Sequence, residues 1–413
     1  MGAGAAGLMT AIAAAREAKS RFSIILLDTR KKIGAKILIS GGTRCNVTNR
    51  KVTSSDYEGG PKHFVKHVLE AFTPDQTIRF FKEMGVELIL EPTGKYFPTT
   101  HSGKTVLEAL MREADRCGVI LKTGVQIKEI EKSQGFFRLK GVLAEGAEEI
   151  SEIFARCAVL ATGGLSYPET GSDGAGFLIA KKLGHTLVET SSALTPLLTN
   201  DRDWPGLSGV SLPAKLVFFR KGKKEKGCEG AFLFTHFGFS GPVALDISRH
   251  VARAQKAEKP EIYVSFLPES TGDSLRKFFE QERSQTPKKS IKHSLIEAFK
   301  LPERFVEVFL EKIGIPSDLP MRQFSKLFEK KFINSVLNYK LEVSGVYGYR
   351  KAEVTAGGVD LKEVDYATMQ SKVMPGLYFA GEILDMDGRI GGFNFQWAWS
   401  SGAIAGRAAI RSL

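Results

Sequence analysis

The chain is poor in the residues from which disulfide frameworks and metal centres are built. Its 413 residues include seven histidines and four cysteines. The cysteines stand far apart in the sequence, at Cys45, Cys117, Cys157 and Cys228. This spacing excludes a Cys-x-x-Cys redox pair and a zinc-ligand pattern. We therefore expect buried or incidental thiols, no metal site and a reducing, cytoplasmic compartment.

Long apolar runs are also missing. No hydrophobic segment reaches the roughly 18 residues that a membrane-spanning helix requires. Residues 1–15 are uncharged and small, but they lack the basic start of a secretion signal. We expect neither a membrane protein nor a secreted one. The length predicts two or three domains, at about 150 residues for each.

The chain has fewer acidic residues than basic ones, 46 against 58, which gives a net charge of +12. The densest basic cluster, residues 220–226, lies between two strand-like segments, which is typical of a solvated hairpin tip. No aromatic RNA-binding signature accompanies it. We expect a small-molecule substrate and no nucleic-acid partner. A tRNA-modifying flavoprotein remains an alternative that rests on charge alone.

The hydrophobic pattern predicts several regular elements. Leu8–Lys19 and His63–Met84 have the composition or periodicity of helices, and Trp397–Ile410 is a closing helix. Ser102 is placed to cap a helix that runs to about residue 116. Residues 24–27 form a short apolar run, which is typical of a strand buried on both faces of a parallel sheet.

The first seven residues contain the pattern Gly2-x-Gly4-x-x-Gly7, with Ala5 and Ala6 between the last two glycines. Such glycines permit a tight turn, close approach of a pyrophosphate and close packing of a helix on a strand. The start of the helix then presents unpaired N–H groups to the anion. Asp28 follows about 20 residues later, where an acid accepts hydrogen bonds from ribose hydroxyls. Together they predict a bound dinucleotide.

The same pattern normally follows a strand, but only Met1 precedes Gly2. That strand usually lies in the middle of the parallel sheet, and its loss would expose two unpaired strand edges. We expect either that the true start lies upstream or that the chain is a compromised fragment.

A second glycine-containing stretch runs from Lys36 to Asn46 and includes Ser40, Gly41 and Arg44. Its small residues admit the edge of a planar cofactor. Arg44 and Asn46 are candidates for contact with a phosphate or a flavin carbonyl. An ordinary polar loop explains the same residues.

The segment 375–385 is more specific, because it is an apolar strand that ends at Gly381-Glu382 and continues to Asp385. Acidic groups at such a strand end bind the ribityl chain of a flavin. Small and polar residues then lead into a helix: Gly391, Gly392, Phe393, Asn394 and Gln396. The N-terminus of that helix is suited to the electron-rich N1/O2 edge of a reduced flavin.

These stretches, together with 39–49, 161–174, 235–242 and 354–359, closely resemble the HI0933-like or YhiN-like (BaiN/RdsA-type) family of bacterial NAD(P)/FAD-dependent oxidoreductases. The resemblance spans most of the chain. It departs from the family at the absent first strand, at Asp28 where Glu is usual, and at Thr43 where Gly is usual.

The resemblance implies an α/β fold with an FAD-binding domain of the glutathione-reductase type, carrying an inserted β-barrel and a small helical part. We expect the FAD-binding domain at 1–190 and 346–413, the β-rich insert at 191–272 and 338–345, and the helical insert at 273–337. The residues expected at the FAD site also include four others: Val125, Thr162, Gly163 and Gly164.

Catalytic residues are harder to identify. His236 lies in a Gly/Ser/Pro-rich loop and is a candidate general acid or substrate anchor, although a structural histidine fits equally. Arg389 is a candidate contact for an anionic substrate, or a surface arginine. No second dinucleotide pattern is present, so we expect NAD(P)H to visit only as a transient reductant.

The predicted activity is hydride transfer between flavin N5 and a small organic molecule. Conjugated-ketone reduction and amine oxidation are the activities that the resemblance suggests. The alternative is a non-catalytic FAD-binding protein that senses redox state or binds a partner.

Overall fold

The structure is a computed structural model that describes residues 1–143, 152–254 and 261–413. These residues divide into two compact units. The first unit contains Met1–Ser191 and Glu353–Leu413, and the second contains Ser192–Ala352. The further division of the insert into a barrel and a helical domain stays a prediction.

The secondary structure is mixed along the whole described chain. Its α-helices are α1 Ala5–Ala18, α2 Ala35–Ile39, α3 Lys62–Ala71, α4 Pro74–Glu83, α5 Gly103–Arg116, α6 Ala175–Lys182, α7 Pro242–Ala254, α8 Gly272–Gln285, α9 Ile291–Phe299, α10 Glu303–Lys312, α11 Lys326–Leu337 and α12 Phe393–Arg411. Its strands are β1 Ile25–Asp28, β2 Thr48–Asn49, β3 Tyr57–Gly59, β4 Leu88–Leu90, β5 Lys95–Pro98, β6 Ile120–Thr123, β7 Val125–Ser133, β8 Phe136–Leu143, β9 Ile153–Ala155, β10 Ala158–Leu160, β11 Leu187–Ala193, β12 Leu197–Leu198, β13 Ser211–Arg220, β14 Lys223–Thr235, β15 Gly238–Ser240, β16 Glu261–Ser265, β17 Tyr339–Leu341, β18 Gly345–Val346, β19 Val354–Val359, β20 Leu377–Phe379 and β21 Met386–Gly388.

Two parallel strand pairs form the centre of the first unit. β1 pairs with β6, and β10 pairs with β20. Met1 and Gly2 lie between the two pairs: the Gly2 amide donates to the Leu27 carbonyl at 2.8 Å, and the Ala161 amide donates to the Met1 carbonyl at 2.9 Å. These bonds connect β1 to β10, so the carboxyl ends of β1, β10 and β20 lie at one edge.

Helices α1 and α12 pack against each other without large side chains between them. A methyl group on Gly402 would lie 2.7 Å from the Ala6 carbonyl oxygen, which is too close for a side chain. α1 contributes mainly alanines to this contact, and most of its residues are buried. The alanine-rich sequence of α1 is therefore explained by close helix packing, which also brings the starts of both helices to the same sheet edge.

The helix predicted over His63–Met84 is wrong in one respect, because the structure contains two helices there. Phe72 and Thr73 are extended and separate α3 from α4. The Thr73 side chain accepts from the Gln76 amide, and the Gln76 side chain accepts from the Thr73 amide. Pro74 occupies the first position of α4, where a missing N–H costs nothing. The helical periodicity of apolar residues continues across this break, so the sequence pattern does not indicate it.

Other local predictions are confirmed. The Ser102 hydroxyl accepts from the Lys104 amide at the start of α5. The basic cluster is the tip of the β13–β14 hairpin, where Lys221 and Gly222 both have positive φ and are exposed. Two such residues form the turn that suits the twist of a hairpin.

The second unit is built on a seven-stranded sheet in the order β17-β16-β13-β14-β15-β12-β18, and every pairing within it is antiparallel. Its core is aromatic, with Trp204 stacked on Phe234 at 5.4 Å and Phe266 packed against Phe305 at 4.8 Å. Helices α8 to α11 lie in the chain between two strands of this sheet, β16 and β17. Within the described ranges, no helix is long and apolar enough to cross a membrane.

Candidate dinucleotide site

The site is assembled at the shared edge where β1, β10 and β20 end. A methyl group on Gly2 would lie 2.4 Å from the Ala161 carbonyl oxygen, so the glycine turn is pressed against the end of β10. A methyl group on Gly381 would lie 2.6 Å from the Ala6 side chain. The turn before α1, the Thr162 segment and the Gly381 segment are therefore neighbours. This edge is where open α/β sheets bind their ligands.

The start of α1 has the properties of an anion site. Gly4 is its N-cap and makes no side-chain cap, and the first turn contains no acidic residue. A methyl group on Gly4 would meet no described atom within 4 Å, whereas one on Gly7 would lie 1.7 Å from the Gly2 carbonyl oxygen. The middle glycine thus faces open space while the last packs tightly. The free N–H groups and helix dipole favour a phosphate there.

Asp28 is held beside this turn by two backbone groups. Its Oδ2 accepts from the Ala3 amide at 2.6 Å, and its Oδ1 accepts from the Arg30 amide at 2.7 Å. Each oxygen keeps a second lone pair for a further donor. The carboxylate is placed where the sequence expects it, and its contact with a ribose stays a prediction.

A partly buried polar network connects two further predicted residues, Lys36 and Glu382. Lys36 Nζ donates to Glu382 Oε2 at 2.7 Å and to Ser166 Oγ at 2.8 Å. The Ser166 hydroxyl donates to Glu382 Oε1 at 2.5 Å, and the Thr355 amide donates to the same oxygen at 2.9 Å. A methyl group on Gly164 would lie 2.4 Å from Thr355 Oγ1, so there is no room for a side chain at this position. This network joins α2, β19 and the segment after β20, and thereby fixes the walls of the site.

The second glycine turn brings Asn46 to the start of α12. A methyl group on Gly392 would lie 2.8 Å from Asn46 Oδ1 and 2.7 Å from the Thr48 backbone. Gly392 has φ of +91° and is the N-cap of α12, which has no side-chain cap. The side-chain Nδ2 of Asn49 donates to the Gly391 carbonyl at 2.9 Å. The two loops that the sequence assigns to the cofactor therefore meet at a second uncapped helix N-terminus.

Two buried polar atoms test whether these residues suit FAD. Asn46 Oδ1 and Thr162 Oγ1 have no hydrogen-bond partner among the described residues. An unpaired buried polar atom costs about 1–3 kcal/mol, so each calls for a ligand that the protein does not itself provide. Together with the open space at Gly4, they fit a large polar dinucleotide such as FAD.

Several predicted residues have protein partners in the structure. Arg44 pairs with Glu91 at 2.6 Å and lies over the Phe97 ring at 4.0 Å. Asn394 donates to and accepts from the backbone of Gly388. These side chains shape their loops, and their predicted cofactor contacts stay predictions.

Gln396 is fully buried and uses both ends of its amide. Its oxygen accepts from the Thr48 and Thr77 hydroxyls, and its nitrogen donates to the Phe72 carbonyl and Ser400. The side chain thus ties α12 to the α3–α4 break. This is a structural position, and its predicted flavin contact stays untested.

The remaining predicted residues lie on or near the same loops. Ser40 donates to the Ile37 carbonyl, Gly41 and Gly163 have positive φ, and Val125 begins β7 and is buried. Phe393 is completely buried and Asp385 is nearly so.

The two predicted catalytic residues lie in different units. His236 is exposed in the turn between β14 and β15, with its ring 4.8 Å from that of Phe237. Arg389 donates to Asp56 Oδ1 at 2.8 Å and lies 4.4 Å from the Phe393 ring centroid. Arg389 is therefore neutralised by a neighbour, whereas His236 is open to solvent. Within the described residues, no three His, Cys, Asp or Glu side chains form a group suited to a metal.

Sequence reasoning did not select Ser166 and Thr355, which complete the network around Glu382. The Thr355 hydroxyl accepts from the amides of Leu165 and Ser166 at 2.7 and 3.1 Å. Both residues belong to the family-like stretches 161–174 and 354–359, and that was the only available signal.

A family model described as the HI0933-like protein Rossmann domain matches residues 1–408. The chain is 34% identical over 403 residues to a ribosomal RNA dihydrouridine synthase of Haemophilus influenzae, covering 97% of this chain and 95% of that protein. It is 32% identical over 411 residues to a 3-dehydro-bile acid delta(4,6)-reductase of Clostridium scindens, covering 99% and 98%.

Among solved structures, the 3-ketosteroid delta1-dehydrogenase of Sterolibacterium denitrificans matches with a TM-score of 0.52 and 12% identity, covering 100% of this chain and 98% of that chain. This likeness concerns the fold alone. The family model and the two relatives confirm the resemblance seen in the sequence. The chain belongs to the HI0933-like family of FAD-dependent oxidoreductases and has its Rossmann-type FAD-binding fold.

Proposed function

We propose that this protein binds FAD and reduces a carbon–carbon double bond conjugated with a carbonyl group. The observation that carries the proposal is the open glycine turn at Gly4, together with two buried polar atoms without a partner among the described residues, Asn46 Oδ1 and Thr162 Oγ1. The relatives' names suggest the direction of reaction, because a dihydrouridine synthase and a delta(4,6)-reductase both saturate a double bond. Neither name concerns amine oxidation, so reduction is the favoured direction.

Bound FAD would provide the two-electron chemistry, as a hydride carried at N5 of the reduced ring. The chain's own groups bind and orient the cofactor. The uncapped start of α1 would hold the pyrophosphate, and the uncapped start of α12, with Asn46, would stabilise negative charge on the ring. The Lys36–Glu382 pair keeps the intervening segments fixed.

Saturation of a double bond adds a proton as well as a hydride, so a proton donor is required. His236 is our proposed donor or substrate anchor, since it is an exposed imidazole in the second unit. Substitution His236→Asn should then lower kcat, while FAD content stays unchanged. An unchanged kcat would assign His236 a structural role only.

The direct test is anaerobic flavin spectroscopy. FAD-saturated protein is reduced with NADH or NADPH, which we propose as the transient reductant, and then mixed with a 3-keto-4,6-diene steroid or 2-cyclohexenone. Return of the oxidised flavin spectrum with formation of the saturated ketone supports the proposal. Stoichiometric FAD whose spectrum responds to no reductant and no acceptor would leave the non-catalytic FAD-binding alternative.

A second candidate substrate is uridine in ribosomal RNA. The net charge of +12 and the exposed basic tip of the β13–β14 hairpin favour this candidate, because basic side chains attract the phosphates of RNA. The same reduced protein is mixed with ribosomal RNA, and nucleosides are analysed by mass spectrometry for the gain of two hydrogens. Absence of both this product and RNA binding at physiological salt would eliminate this candidate and leave the small ketone.

A further inference from the structure

The first unit contains a cavity of about 380 Å³ that is not lined by any residue of the dinucleotide site. Its walls come from the middle and end of α1, from α4 and from the last turns of α12, and Phe72 also lines it. The starts of α1 and α12 lie at the cofactor edge, whereas this cavity lies along their later turns. It is therefore a separate feature of the unit.

Part of the charge in the cavity wall is already neutralised. Arg16 pairs with Glu113 at 2.7 Å and with Glu83 at 3.4 Å. Glu17 pairs with Arg411 at 2.9 Å. These residues need no further partner, and both acidic groups of the wall are accounted for.

Two other charged residues line the cavity, Arg79 and Arg407. In the described part of the chain, neither side chain has a hydrogen bond or an ion pair with any residue. Arg407 is half-buried, and its guanidinium lies 5.8 Å from the Phe72 ring centroid. Burial lowers the pKa of Arg407, and the neighbouring Arg411 lowers it further. The charge of Glu17 opposes these two effects only in part. A half-buried cation without a hydrogen-bonded or ion-paired partner is costly, so an anion at this place would stabilise the unit.

We propose that this cavity is a binding site for a small organic anion, with Arg407 and Arg79 as the groups that bind its carboxylate or phosphate. The planar guanidinium presents paired donors that match either anion. The cavity is far larger than a phosphate ion, and Phe72 and Phe80 line it, so the ligand carries a small apolar or aromatic part. This site is additional to the proposed flavin chemistry and does not depend on it.

Isothermal titration of FAD-saturated protein tests the proposal, because saturation blocks the cofactor site. The probes are phenyl phosphate, benzoate, inorganic phosphate and phenol. We expect saturable binding of phenyl phosphate or benzoate at one site per chain, with phosphate and phenol each weaker by about tenfold, since each lacks one half of the recognised structure.

Arg407→Met keeps the apolar stem and removes the charge, so it should weaken binding of phenyl phosphate and benzoate about tenfold or more. Arg79→Met should weaken it less, because Arg79 is more exposed. Arg112→Met, which changes an exposed arginine of α5 outside the cavity, should leave the affinity unchanged. Equal affinity in the Arg407→Met and Arg112→Met variants, or no saturable binding of either aromatic anion, overturns the proposal.

Discussion

Gly406 of α12 lies so close to Thr10 of α1 that a methyl group on Gly406 would be 2.3 Å from the Thr10 carbonyl oxygen. A real Cβ cannot occupy that position, and the obstructing atom belongs to a helix backbone that does not rotate away. The contact fixes the distance between two helices whose first residues both border the cofactor site.

Gly406→Ala should therefore destabilise the protein by about 1–3 kcal/mol, despite the higher helix propensity of alanine. Thermal unfolding measures this change. Gly206→Ala is the matched control, because a methyl group there meets no described atom within 4 Å. If the two variants had equal melting temperatures, the close approach of α1 and α12 would be contradicted.

Asn46 and Gln396 both have buried side-chain amides near the start of α12. Their surroundings predict that substitution by alanine weakens FAD binding at Asn46 and lowers the stability of the protein at Gln396. Asn46 Oδ1 has no partner among the described residues, whereas Gln396 makes four hydrogen bonds to protein groups. Asn46→Ala should leave the stability of the cofactor-free protein nearly unchanged and weaken FAD binding about tenfold. Flavin fluorescence titration and thermal unfolding of the cofactor-free protein measure the two quantities.

Gln396→Ala serves as the comparison. It leaves the buried Thr48 and Thr77 hydroxyls without their shared acceptor, whereas the Phe72 carbonyl still accepts from Ser400, so the cofactor-free protein should lose about 3 kcal/mol or more. A large loss of stability in Asn46→Ala, with unchanged FAD affinity, would show that Asn46 is structural and would remove one support of the cofactor site.

The contrast between these two amides shows where sequence reasoning succeeds. The glycine turn at Gly2–Gly7, the strand ending at Asp28 and the cap at Ser102 depend on neighbours within a few residues, and each could be predicted. The network of Lys36 and Glu382 joins residues 346 positions apart, and no local pattern specifies such a pair. A polar residue after a glycine turn has the same sequence signature whether it faces a cofactor or the core, so the sequence does not reveal the four protein hydrogen bonds of Gln396.

His185 is buried in a chain of hydrogen bonds that connects two loops of the first unit. Its Nδ1 lies 3.1 Å from Glu363 Oε2, and its Nε2 lies 2.9 Å from Ser371 Oγ. The Ser371 oxygen already accepts from the amides of Val373 and Met374, so its hydroxyl proton is directed at His185. The ring is therefore neutral, with its own proton on Nδ1.

Burial lowers the pKa of His185, and the opposing effect of Glu363 does not restore it. The unfolded chain, with the ordinary histidine pKa of about 6.5, then takes up a proton before the folded protein does. Stability should consequently fall as the pH drops below about 6.5. Although burial alone would raise the pKa of Glu363, the hydrogen bonds from Thr186 and from His185 lower it. A second loss of stability therefore follows at more acidic pH.

Melting temperatures measured between neutral and mildly acidic pH, for the wild type and His185→Gln, separate the two contributions. The variant should be less stable at neutral pH. Its melting temperature should change less just below about pH 6.5, where His185 takes up its proton, and should fall as in the wild type at the more acidic pH where Glu363 is protonated. Parallel curves for both proteins would mean that a group other than His185 controls the first of these losses.

Thr43 has φ of +71° in the loop that carries Asn46. A β-branched residue rarely adopts this left-handed conformation, which costs about 1–2 kcal/mol. Thr43→Gly removes that strain, and the added freedom of the unfolded chain offsets roughly 0.5–1 kcal/mol of the gain. We expect the melting temperature to rise slightly. Thr43→Asn, which tolerates the conformation without the glycine penalty, should raise it at least as much.

Thr100→Gly is the control for this prediction, because Thr100 is also exposed and hydrogen-bonded through its hydroxyl, but has no positive φ. Glycine there should only lower the melting temperature, since it adds freedom to the unfolded chain and relieves no strain. The FAD affinity of Thr43→Gly adds a second measurement. The loop has its strained conformation in the cofactor-free protein, so relief of the strain should strengthen FAD binding or leave it unchanged. A loss of FAD affinity would instead assign the Thr43 side chain a direct role at the site.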